Sequence, residues 1–203
     1  MRHTMTMAIA LMTFALTTGI SAQVGKSQGV VDVNTAAESD LAGFPNMTPA
    51  IAKALVAKRP FVSPTELNAF LLSQGLTAEQ AMAFYAKAFV HINLNTATSE
   101  EIMLVPGAGR RMAREFAEYR PWKTWAQFDR EIGKYVGPEA TAKLAQFTFI
   151  PMNANTASDA DLMTVPGATA AWADKVKKGR PYKSAADLEK TAGKAQARFF
   201  VVE

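Results

Sequence analysis

Apolar positions along this chain fall into short helical stripes separated by turn-forming residues, and the stripes recur. Ile51 and Leu55, Met112 and Phe116, and Trp172 and Val176 are each four residues apart, a spacing that puts both members of a pair on one helix face. Each pair flanks a small residue, Ala52, Ala113 or Ala173, suited to close approach of a neighbouring helix. An earlier apolar position, Leu41, Ile102 or Leu162, marks a short helix ahead of it. Behind each pair comes Arg-Pro-aromatic: Arg59-Pro60-Phe61, Arg120-Pro121-Trp122 and Arg180-Pro181-Tyr182. Proline drives the residue before it out of the α region, so the second helix of each set ends there. Ser63, Thr124 and Ser184 are suited to cap a third helix. A fourth helix is expected after a second turn: Gly75-Leu76-Thr77, then Tyr135-Val136-Gly137 with Pro138 suited to the first helical position, then a shortened version near Gly193. Short β-prone exits close each set, at Phe89-Val90, Phe147 to Ile150 and Phe199 to Val202.

The tripeptide Asn-Thr-Ala sets the period. It starts at Asn34, Asn95 and Asn155, 61 and then 60 residues apart. So many fixed offsets over three copies predict three homologous modules at residues 31–91, 92–150 and 151–203. Residues 23–30 would be a lead-in and 1–22 a signal peptide. Thr35, Thr96 and Thr156 are expected to cap the first helices, with Glu38 and Asp159 three residues on; in the second copy Thr98 with Glu101 is an equal alternative. Short connections between copies predict that the modules pack on one another. The fold class expected is all-α.

The best-formed turn lies in Ile102 to Arg120. There Pro106-Gly107-Ala108-Gly109 is followed by Arg110, Arg111 and Arg114. Glycine at 107 and 109 allows positive φ and close approach, and a helix starting near Arg110 would offer free amides and its dipole to an anion. The pattern Ile102, Val105, Pro106, Gly107, Ala108, Gly109, Ala113 resembles the helix-hairpin-helix motif. With the leader, the Asn-Leu-Asn-Thr-Ala opening and the Arg-Pro-aromatic close, the chain resembles the competence protein ComEA family over Val31 to Glu203, as three copies. The resemblance implies sequence-independent binding of double-stranded DNA outside the cytoplasmic membrane during DNA uptake, beside uptake-machinery proteins. It also implies that Gly107, Ala108 and Gly109 present amides to a phosphate while Arg110, Arg111 and Arg114 add charge. Gly137, Gly167, Lys175, Lys177 and Lys178 form a secondary set. In the first copy Pro45-Asn46-Met47-Thr48-Pro49 replaces the glycine hairpin; in the third, Thr169 replaces the second glycine.

Composition narrows this picture. Of 203 residues, 49% are hydrophobic and 20% charged, the balance of a globular chain. The net charge of +4 falls to +3 without Arg2, permitting an anionic partner without demanding one. Met7 to Leu16 is apolar and Ile20-Ser21-Ala22 suits cleavage, so the mature chain is expected in a periplasm without a membrane span. There is no cysteine, and His91 stands alone beyond the leader, so neither a metal nor another cofactor is expected. Asp129 lies 20 residues beyond Gly109, but no complete catalytic set accompanies it in the sequence, and the protein is not expected to be an enzyme. Two readings stay open: DNA binding through the second module, or an interaction scaffold on a helix-hairpin-helix frame. Arg59, Arg120 and Arg180, held in all copies, are expected to be packing residues at helix ends, and Phe61, Trp122 and Tyr182 to be core.

Overall fold

A computed structural model describes residues 29–203; the expected signal peptide and most of the lead-in lie outside the described residues. The chain begins with strand β1 (Val31–Asp32) and runs through helices α1 (Glu38–Ala42), α2 (Pro49–Lys58), α3 (Pro64–Ser73) and α4 (Ala78–Tyr85) to strand β2 (Ala88–Phe89). The same order then repeats: β3 (Ile92–Asn93), α5 (Ser99–Met103), α6 (Arg110–Glu118), α7 (Trp125–Ala145) and β4 (Thr148–Phe149). Last come β5 (Met152–Asn153), α8 (Asp159–Leu162), α9 (Ala170–Lys178), α10 (Ala185–Ala192), α11 (Lys194–Ala197) and β6 (Phe200–Val201). Helix α7 counts as one element only nominally, because Gly137 breaks its dihedrals at φ 77°, ψ 169° and a new helical segment starts at Pro138.

The mostly helical expectation holds, with one addition. Each repeat closes on a two-residue parallel ladder, β1 on β2, β3 on β4 and β5 on β6. The β-prone exits thus pair with the segment that leads into Asn-Thr-Ala. That pairing satisfies backbone groups of both ends where the repeat closes, at residues that are buried or half-buried.

The recurring residues explain the recurring shape. Asn34 brackets the backbone of Phe61, donating from Nδ2 to its carbonyl (2.9 Å) and accepting from its N–H (2.8 Å). Asn95 does this for Trp122 and Asn155 for Tyr182. The bracket holds the Arg-Pro-aromatic strap, whose Arg-Pro bond is cis in all three repeats, against the opening turn. Guanidinium Nη2 of Arg59, Arg120 and Arg180 donates to the carbonyl of Ala36, Ala97 and Ala157, so these arginines are packing residues as expected. Phe61, Trp122 and Tyr182 are buried core side chains. Trp122 and Tyr182 add one bond each, to the carbonyls of Phe116 and Val176 near the end of the second helix.

The expected threonine caps need correcting. The N-caps of α1, α5 and α8 are Ala37, Thr98 and Ser158, not Thr35, Thr96 and Thr156. Ala97 N–H bonds back to the Asn93 carbonyl, as does Thr96 N–H, so a turn occupies the place where a cap was expected. Two residues later Thr98 with Glu101, the alternative expected in the second copy, and Ser158 with Asp161 form capping boxes. Ser63, Thr124 and Ser184 do cap α3, α7 and α10.

The first two repeats share one apolar core, joined where Phe89 meets Phe147 edge-on at 5.5 Å, and the third has its own cluster around Phe149, Leu162, Tyr182 and Phe199.

Candidate nucleic-acid interface

Between α5 and α6 the chain reverses through Pro106 to Gly109. Ile102, Val105 and Ala108 are buried beneath the turn, which leaves its glycines at the surface. Gly107 and Gly109 take φ of 84° and 83°, a region that L side chains enter at a cost of about 1–3 kcal/mol. Gly109 is the N-cap of α6, and its carbonyl accepts from Ala113 N–H at 3.1 Å. Having no side chain, it caps nothing, so the first-turn amides from Arg110 to Met112 carry no side-chain partner.

One member of the expected phosphate cradle drops out. Ala108 N–H donates to the Val105 carbonyl at 3.0 Å, closing the turn, and its methyl group is in the core. Ala108 therefore shapes the hairpin and offers no amide to a ligand.

The other repeats show what the glycine changes. Thr48 takes up Ile51 N–H at 3.2 Å in α2, and Thr169 takes up Trp172 N–H at 3.1 Å in α9. Pro49 removes a further donor from α2. Asn46 supplies the left-handed turn residue there, with φ 62°. The second hairpins sort the same way. Thr77 caps α4 with a capping box, whereas Gly137 opens the helical segment at Pro138 with the same extended, positive-φ geometry as Gly109. Gly193 heads α11 similarly, at φ 86° and ψ 150°. The second repeat thus has glycine at both hairpin N-caps, the first has threonine at both, and the third has one of each.

The arginines on α6 are exposed, but they are not equivalent. Arg110 has no ion-pair partner among the described residues. Arg111 lies over the Tyr135 ring at 4.6 Å, a cation–π contact that ties the first hairpin to the second. Arg114 reaches Glu115 at 3.4 Å, and that carboxylate is buried. The Tyr135 hydroxyl meets that of Tyr119 at 2.8 Å. This hydrogen bond, then one with Glu115, pushes the Tyr135 pKa well above its usual value. Repulsion among the three arginines, taken alone, would call for an external anion. Glu115 and Tyr135 already answer part of it, so Arg110 and Arg111 carry more of the case than Arg114. Nothing in the sequence spacing signals this Arg111–Tyr135–Glu115 network, because it needs α6 packed on the second hairpin.

The secondary set is dispersed. Gly137 sits on the second hairpin beside Tyr135. Gly167 has φ 74°, but a Cβ there would meet Thr35 Cγ2 at 2.8 Å, so its missing side chain accommodates the first repeat. Lys177 is held between Asp159 (2.8 Å) and Asp174 (3.1 Å), and these hydrogen bonds raise its pKa. Lys175 and Lys178 are exposed on α9. His91 is fully buried against Asp32, consistent with a structural residue.

A family model described as "Helix-hairpin-helix motif" matches residues 26–81, the first repeat rather than the one with the glycine hairpin. No curated protein and no solved structure matches the chain. The chain therefore carries a helix-hairpin-helix motif, which is consistent with nucleic-acid binding. No helix among the described residues is long and apolar enough to cross a membrane.

Proposed function

We propose that this is an exported, non-catalytic protein of three helix-hairpin-helix modules that binds double-stranded DNA without sequence preference, in the manner of the ComEA family in DNA uptake. One observation carries the reading: only the second repeat has glycine at both hairpin N-caps, Gly109 and Gly137, with Arg110 and Arg111 exposed beside the first. Phosphates of the duplex would accept from the first-turn amides and the arginines, contacts that fix position without reading bases. The signal-like composition of residues 1–22 supports a periplasmic setting for this activity, where uptake-machinery proteins are the expected partners.

A salt series with a labelled random-sequence duplex tests this directly. The chain from residue 23 onward is expected to bind with a slope of log K on log salt of about −0.9 per phosphate engaged. The double substitution Arg110→Ala, Arg111→Ala should flatten that slope by about two contacts and weaken binding about tenfold or more. No binding at low salt would sink the proposal.

The second reading, a protein-interaction scaffold on the same frame, is favoured by particular residues. Thr48, Thr77 and Thr169 occupy amides that a phosphate would need, and Lys177 is neutralised by two aspartates.

A further inference from the structure

On the side of α6 that carries Arg110 and Arg114, residues of α5 and α6 line an open groove of about 680 Å³. Its floor is apolar: Met103, 40% exposed, with Ala113 and Ala117. Arg110 and Arg114, four residues apart, line it towards the hairpin; Ser99 and Glu118 complete the wall.

In the third repeat an ion bridge spans the same place. Sixty residues on from Ser99, Arg114 and Ala117 stand Asp159, Asp174 and Lys177. There Lys177 bridges from α9 to Asp159 on α8 and also holds Asp174. In the second repeat the three positions change together. Alanine removes the bridging cation, serine removes its main acceptor, and arginine reverses the remaining charge. Ala170 at the position of Arg110 completes the contrast. One surface is spanned by its own ions; the other exposes the Ala117 methyl and the Met103 thioether over buried Ala113, beside Arg110, unpaired among the described residues, Arg114 with its Glu115 partner, and Glu118 at the far end.

We propose that the α5–α6 groove docks an amphipathic segment of a partner protein, one that sets apolar side chains on Met103, Ala113 and Ala117 and carboxylates against Arg110 and Arg114. Charge complementarity chooses this occupant. A duplex would satisfy the arginines but gain little from an apolar floor, whereas an acidic amphipathic helix uses both. The inference does not rest on the DNA reading. Because Arg110 serves both, a bound segment and bound DNA would compete.

The test uses a fluorescent model helix with leucine along one face and glutamate flanking it. Two controls replace every glutamate by lysine or every leucine by serine. The glutamate–leucine peptide is expected to bind saturably, with each control at least about tenfold weaker. Ser99→Asp with Ala117→Lys, which copies the bridge of the third repeat, should cost about tenfold in peptide affinity. Its unfolding midpoint should be kept, with duplex affinity within about threefold of the parent. Arg114→Glu should reverse the preference towards the lysine peptide. No saturable binding, equal binding of the lysine peptide, or undiminished binding by the double variant would each overturn the proposal. So would a double variant that loses duplex but not peptide affinity, which would make the groove part of a DNA surface.

Discussion

At the scale of single residues, asparagine does more for this fold than any apolar side chain of its size could. Asn95 satisfies both the N–H (2.6 Å) and the carbonyl (3.0 Å) of Trp122, 27 positions away, using its two amide atoms at once. Asparagine carries acceptor and donor on one short stem; aspartate keeps only the acceptor. Asn95→Ala would leave both Trp122 backbone groups unpaired at about 1–3 kcal/mol each, so a loss of about 2–4 kcal/mol is expected in denaturant unfolding. Asn95→Asp should lose about half of that, since it still accepts from Trp122 N–H. If the aspartate variant were no more stable than the alanine variant, the bracket would not be what holds the strap. The repeated asparagine was plain in the sequence. Its partner was not, because the bond spans two helices and is set by tertiary closure.

At the scale of elements, the second repeat is a pair of hairpins joined by an aromatic. Tyr135 carries Arg111 on its face and hydrogen bonds to Tyr119 at its hydroxyl, so ring and hydroxyl can be separated by substitution. Tyr135→Phe keeps the ring and is expected to cost about 1 kcal/mol in stability with little change in duplex affinity. Tyr135→Ala also removes the platform under Arg111 and should weaken duplex binding several-fold, measured beside its unfolding midpoint. Equal effects of the two on binding would show that Arg111 needs no aromatic support. Legibility at this scale was uneven for physical reasons. Gly137-Pro138 announces a helix start in local chemistry alone, and the structure has it there. The expected Thr35 and Thr156 caps lie two residues early, and in the second repeat the alternative Thr98 with Glu101 is the one formed, because Asn-Thr-Ala is itself a turn closed on the residue before it, Asn93 in the second repeat. Ala108 was expected to donate outward only through the family resemblance; its own amide closes the turn on Val105.

At the scale of the whole molecule, one charged position joins all three repeats. The opening turn is closed by a carboxamide from Asn93 and Asn153 in the later repeats, but by Asp32 in the first. Asp32 is buried, takes Asn34 N–H on Oδ1 at 2.9 Å, and on Oδ2 faces His91 Nδ1 at 3.1 Å and Arg198 Nη2 at 3.2 Å. Its partners thus come from the junction of the first two repeats and from the last turns of the third. Burial pushes the Asp32 pKa up, but the hydrogen bond to His91 and the charge of Arg198 outweigh it and leave the carboxyl below its usual 3.8. A lowered folded pKa means stability that is present above the ordinary value and lost as pH falls through the folded one. Asp32→Asn preserves an oxygen for the turn yet strands the buried Arg198, so a cost of about 3–5 kcal/mol is expected near neutral pH. Below about pH 4 the unfolded parent takes up a proton while the folded carboxyl still holds its charge, so the gap between parent and variant should narrow progressively until pH has fallen through the lowered folded pKa. Other carboxylates titrate in both proteins and largely cancel in the difference, so paired unfolding curves from about pH 5 downward follow Asp32 together with its partners His91 and Arg198. A gap that stayed constant with pH would mean that Asp32 acts through shape alone, and that the third repeat is held by Phe149 and Phe199 rather than by charge.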